Sequence, residues 1–179
     1  MQPLYALIQF LAFDVAWFSA VKGGALGWVW LGSIPAVAVL ALHLLVFRTA
    51  LLPEVKLVLA VTVLGVLLES GMMGAGLIRY AGTTEGQMLP PVWIWALWLG
   101  FATIPNGSLG WIRGRVVLQM LLGALFGPLA YWTGARLGAA VLPDAATSLL
   151  AIGLIWLLAF PTIMLLAETL SPGPRPGVN

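Results

Sequence analysis

The sequence predicts an all-α membrane protein, a bundle of six transmembrane helices with both termini cytoplasmic. Three observations predict it. Of 179 residues, 61% are apolar and only 8% are charged, against roughly 25% charged in a soluble domain. The mean hydropathy is +1.05. Six stretches are long and apolar enough to cross about 30 Å of hydrocarbon at 1.5 Å per residue, and none alternates as a barrel strand would. These values exclude a soluble globular domain, a disordered chain and a nucleic-acid binder. The absence of Cys excludes disulfides, thiolate metal sites and cysteine nucleophiles. A single His, His43, excludes a multi-histidine metal site, and no cofactor is expected.

The first stretch, residues 4–21, holds one charge, Asp14, and is predicted to stop at Lys22-Gly23-Gly24. It has no basic segment before it and no good cleavage site, so it reads as a retained helix rather than a signal peptide. The second covers 25–47 and meets Arg48, opening a short polar turn through Pro53 and Glu54 to Lys56. The third, 57–78, carries Glu69. The connection from Arg79 to Pro91 is the longest, and Pro90-Pro91 holds back the start of the fourth. That fourth stretch, 92–112, contains Pro105-Asn106-Gly107, which predicts a kink or an early end. The basic break Arg113-Gly114-Arg115 precedes the fifth, 116–135. Pro143 and Asp144, an expected N-cap, precede the sixth, 146–167, which Pro161 is expected to kink. Residues 1–170 form the membrane domain, and 171–179, rich in Pro and Gly, form a disordered tail.

Lysine and arginine in short loops set orientation. Arg48, Lys56, Arg113, Arg115 and Arg175 fall on the side of both termini; Lys22, Arg79 and Arg136 fall on the other. This bias places the termini in the cytoplasm of a multi-pass protein of a bacterial inner membrane. Trp28, Trp30, Trp93, Trp95 and Trp132 cluster on the far side, as an interfacial belt or as the walls of a ligand cage, and Trp111 marks the inner face.

Ala12, Ala16 and Ala20 recur every fourth residue, and Gly123 with Gly127 forms a GxxxG. Such faces let helix backbones approach. They serve packing inside the bundle or, for the alanine stripe, docking of a partner membrane protein. Charged groups at bilayer depth cost free energy and usually face the protein interior. Asp14 and Glu69 both count to within about 5 Å of the midplane. Each is either a satisfied protonated carboxyl or a polar anchor for a ligand. His43 sits near the cytoplasmic end of its helix, and Asn106 and Gln119 need partners in the inner half. There is no GxGxxG, P-loop or HExxH. A Ser–His intramembrane protease built on His43 with Ser70 or Ser108 lacks a supporting setting.

The order of features resembles the bacterial integral membrane family of domain-of-unknown-function 2878. The matching residues are Trp17-Phe18, His43, Glu69, Pro91-Val92-Trp93, Leu97-Trp98, Phe101 and Trp111, then Gly123, Gly127-Pro128, Tyr131 and Gly134-Ala135-Arg136-Leu137-Gly138. The family pattern often has aspartate where Glu69 stands, and Asp14 has no counterpart in it. What the resemblance implies is a role beside lipid-modifying enzymes of the cyclopropane-fatty-acid-synthase kind, in lipid handling or envelope stress. It names no catalytic residue.

The function expected on these grounds is binding or transport of a small amphipathic or lipid-like molecule in a helix-bundle cavity lined by Glu69, Asp14, Trp98 and the segment 127–136, with enzymatic chemistry left open. Membrane lipids are the other expected partners. Candidate ligand-binding residues are Glu69, Asp14, His43, Trp93, Trp98, Tyr131 and Arg136, with Arg136 placed for an anionic group at the outer interface. The alternatives are the substrate-binding subunit of an energy-coupled vitamin transporter and a lipid-modifying membrane enzyme or assembly factor.

Overall fold

Helices run Pro3–Leu26 (α1), Val29–Val46 (α2), Leu51–Gly74 (α3), Val92–Phe101 (α4), Val116–Arg136 (α5) and Ala145–Leu170 (α6) in a computed structural model that describes residues 3–171. Five are long and apolar enough to cross a membrane; α4, with ten residues, is not. The chain is an all-α membrane protein of six helices.

α1 pairs with α2, and α5 pairs with α6. Between the pairs, α4 packs on α1, α2 and α3, and α3 packs on α4 and α6. α1 and α5 are therefore left on the two sides of a gap. Tyr5, His43, Glu54 and Ser171 are bonded together, so the start of α1, the end of α2, the start of α3 and the end of α6 share one end of the bundle. At the other end, two residues after α3, Arg79–Tyr80 (β1), pair antiparallel with two after α5, Ala140–Val141 (β2), Tyr80 opposite Ala140.

Several boundaries differ from expectation for physical reasons. α1 continues through Lys22-Gly23-Gly24 because these glycines face neighbours: a Cβ at Gly24 would lie 2.5 Å from the Trp93 ring. The helix closes at Gly27, whose φ of +73° suits glycine. The Trp28 N–H then bonds the Gly23 carbonyl at 2.7 Å, a Schellman closure; α5 ends the same way at Gly138. α3 starts at Leu51 rather than after Lys56, because Pro53 falls in the first turn, where its missing N–H has no helical partner to lose. Pro161 lies within α6, which continues to Leu170. Asp144 occupies the N-cap position; the Thr147 hydroxyl donates to it at 2.6 Å and, with the backbone N–H groups of Thr147 and Ala146, holds its carboxyl below the usual range.

The fourth apolar stretch is helical for only about 15 Å; from Ala102 to Arg115 it is irregular apart from one 3-10 turn at Gly110–Ile112. Non-helical backbone at membrane depth needs partners inside the protein, and they are present. The Gln9 amide donates to the Thr103 hydroxyl at 2.7 Å and accepts the Ser108 N–H at 2.8 Å. Asn106 donates to Glu54 at 2.7 Å and accepts from Arg113. Gln119 donates to the Ile112 carbonyl at 2.9 Å. Ser171, expected to begin the tail, is instead buried with its hydroxyl on Glu54 at 2.5 Å. The rest of that expected tail, 172–179, lies outside the described residues.

Candidate functional site: a side-opening cavity with a carboxylate in its floor

The gap between α1 and α5 is a cavity of about 690 Å³. One face of α1 forms a wall: Phe10, Phe13, Asp14, Trp17 and Val21 follow helical spacing. α5 forms the opposite wall, from Leu122 to Gly134. The floor is α4 with Trp156 and Phe160 of α6. Phe10, Asp14, Phe126 and Leu129 line the cavity and are exposed. The cavity is thus open between α1 and α5 rather than sealed inside the bundle.

Glu69 is buried in the floor and accepts three hydrogen bonds from three different elements. The Tyr131 hydroxyl of α5 donates at 2.7 Å and the Trp98 indole of α4 at 3.1 Å, both to Oε1. The Tyr80 hydroxyl of β1 donates to Oε2. Three donors suit an acceptor-only carboxylate. Glycines one turn away make this geometry possible. A Cβ on Gly65 would overlap the Trp98 ring, so only glycine there lets Trp98 lie against α3 and reach Glu69. On α5, Gly127 seats the Trp156 ring, with a Cβ position 2.5 Å from Cγ, one turn before Tyr131. Trp98 and Trp156 then stack with centroids 5.7 Å apart, and Tyr80 stands edge-on to Trp93 at 5.5 Å.

Of the residues singled out in the sequence, Glu69, Asp14, Trp93, Trp98 and Tyr131 all line this one cavity. Counted at 1.5 Å per residue from the Tyr5–His43–Glu54 layer, Asp14 is about 14 Å along the bundle and Glu69 about 22 Å. Trp93, expected in the exposed belt, is buried, whereas Trp28, Trp30, Trp95 and Trp132 are exposed. Its indole N–H has no acceptor among the described residues. Arg136 is exposed at the last turn of α5, outside the cavity lining.

His43 belongs elsewhere. It is fully buried at the opposite end of the bundle and lines no part of this cavity. Its Nε2 lies 2.8 Å from Glu54 and its Nδ1 3.0 Å from the Tyr5 hydroxyl, both within hydrogen-bond distance. Glu54 also takes the Asn106 and Ser171 bonds, so this network fastens the irregular segment to α2, α3 and α6. The alanine stripe is likewise occupied: Ala16 and Ala20 are fully buried, with Ala16 packed beside Ala36 and Ala20 against Gly32 of α2. No cluster of three metal-ligating side chains occurs among the described residues.

A family model described as a protein of unknown function, DUF2878, matches residues 6–162. The chain belongs to this family. Every residue lining the cavity lies within the DUF2878 match, whereas Tyr5 and Ser171, at two edges of the His43–Glu54 network, lie outside it. No curated protein and no solved structure matches the chain.

Tyr80, Phe10, Phe13 and Trp156 are part of the site without having been singled out as such. The α1 face carried a readable signal, its aromatic and acidic residues at 10, 13, 14 and 17. Tyr80 carried none, because a loop pairing with a distant loop brings it back over Glu69.

Proposed function

We propose that this protein binds, and carries within the membrane, a small amphipathic or lipid-like molecule held in the cavity between α1 and α5. It does so as a multi-pass protein of a bacterial inner membrane with both chain ends in the cytoplasm. The observation that carries this reading is the cavity itself. A volume of about 690 Å³ falls within the 300–1,000 Å³ typical of small-molecule sites, and two of its walls are the apolar helices α1 and α5. A polar anchor, Glu69, stands in an otherwise aromatic interior, and the unpartnered Trp93 N–H supplies a donor that an occupant's acceptor would satisfy. Glu69 fixes the position of Tyr80, Trp98 and Tyr131, and so shapes the floor on which the apolar body would rest.

The test is native mass spectrometry of the protein released from lipid nanodiscs. Wild type is expected to retain a bound small amphiphile. Ala130→Phe, which adds a ring to the α5 wall, is expected to lose it. Identical adducts on both proteins would overturn the reading.

A further inference from the structure

We propose that the occupant of this cavity carries a positively charged polar end, a protonated or quaternary amine on an apolar body, and that Asp14 is the group that holds it. The proposal rests on the cavity-binding reading and adds the charge and the anchoring point.

The lining decides the sign of the charge. Twelve of its 28 residues are aromatic, two are acidic, and none is Lys, Arg or His. An anionic head group would find no counter-charge inside and would face two carboxylates. A cation finds both a counter-charge and the electron-rich faces of aromatic rings, the combination by which proteins bind quaternary amines.

The two acids are not equivalent. Both oxygens of Glu69 already accept hydrogen bonds from Tyr80, Trp98 and Tyr131. Asp14 forms no salt bridge and no side-chain hydrogen bond among the described residues, and it is exposed at the cavity mouth. On the same face of α1, Phe10 lies one turn before Asp14 and Trp17 one turn after it, both lining the cavity. A carboxylate near mid-bilayer without a partner is costly, so a residue that the protein leaves unpaired beside an apolar cavity is paired by what enters it. Asp14 therefore selects the polar end, and the aromatic interior beyond takes the body.

Three fluorescent probes share one diphenylhexatriene body and differ only at one end: trimethylammonium, no substituent, or a propionate. Energy transfer from the protein's tryptophans to each probe is measured in phosphatidylcholine nanodiscs at increasing probe concentration. The cationic probe is expected to saturate at about tenfold lower concentration than the other two, the scale of one charge-assisted contact at low dielectric. Asp14→Asn is expected to bring it within about twofold of the neutral probe, and Asp14→Glu to restore the preference. Asp14→Ser serves as a second neutral replacement. Equal saturation of all three probes in wild type, or a preference for the cation that survives Asp14→Asn and Asp14→Ser, would overturn the charge assignment. Ala130→Phe separates this from the underlying reading. If it weakens all three probes alike while no charge preference exists, only the present proposal falls; if it weakens none, cavity binding falls with it.

Discussion

Replacing Glu69 by alanine removes the single group to which Tyr80, Trp98 and Tyr131 all donate. Three donors are then orphaned in a dry interior. A buried donor without an acceptor costs about 1–3 kcal/mol, whereas side-chain hydrogen bonds inside membranes average nearer ~0.6 kcal/mol. Three of them bracket the loss between about 2 and 9 kcal/mol, and ~4 kcal/mol is the expectation. Glu69→Gln keeps a carbonyl oxygen for Trp98 and Tyr131, which share Oε1, and turns an amide toward Tyr80, whose hydroxyl can reverse and accept. It exchanges charge-assisted bonds for neutral ones, so its expected cost is about 1–2 kcal/mol. The assay is unfolding in mixed micelles titrated with dodecyl sulfate, followed by tryptophan fluorescence. The order wild type, Gln, Ala is the prediction. A Glu69→Ala protein within about 0.5 kcal/mol of wild type would refute the view that this carboxylate joins α3, α4, α5 and the β1 loop.

Gly65→Leu forces a side chain into the space of the Trp98 ring and should destabilise by about 1–3 kcal/mol in the same titration; near-ultraviolet circular dichroism should report the displaced indole. Asn106→Leu unties Glu54 and Arg113 from the irregular segment, so hydrogen exchange of residues 102–112 should speed up while α6 stays protected. Asp14→Asn removes no contact within the protein, and its unfolding midpoint should match wild type within about 0.5 kcal/mol. Gly32→Leu collides with the Ala20 backbone and should separate α1 from α2, read as loss of stability without any partner protein present.

Crossing helices were legible because the bilayer demands length and apolarity and leaves few alternatives. The exceptions follow from contacts distant in the chain. Pro105-Asn106-Gly107 marked a break, but only Gln9, Glu54 and Arg113, brought from elsewhere, show how the irregular segment is sustained. Lys22-Gly23-Gly24 reads as a stop by local propensity, and the approach of Trp93 to Gly24 turns it into a helical contact face. The acidic Glu69 was visible by its cost at depth, and Trp98 and Tyr131 were visible as candidates. Their meeting on one carboxylate was not, since each comes from a different helix. His43 looked like a site residue for the same reason as Glu69, a titratable group in an apolar run, and its place with Glu54 and Tyr5 is fixed by three helix ends meeting. A helix-bundle cavity around Glu69, Asp14 and Trp98 was expected, but its walls were not legible, because it exists where α1 and α5 fail to pack.

An experimental density map of the protein in lipid nanodiscs tests the central claim most directly. An elongated density between α1 and α5, lying on the Trp98–Trp156 stack beside Glu69, is the result expected. Helix α1 closed against α5, with no space between them, would contradict it.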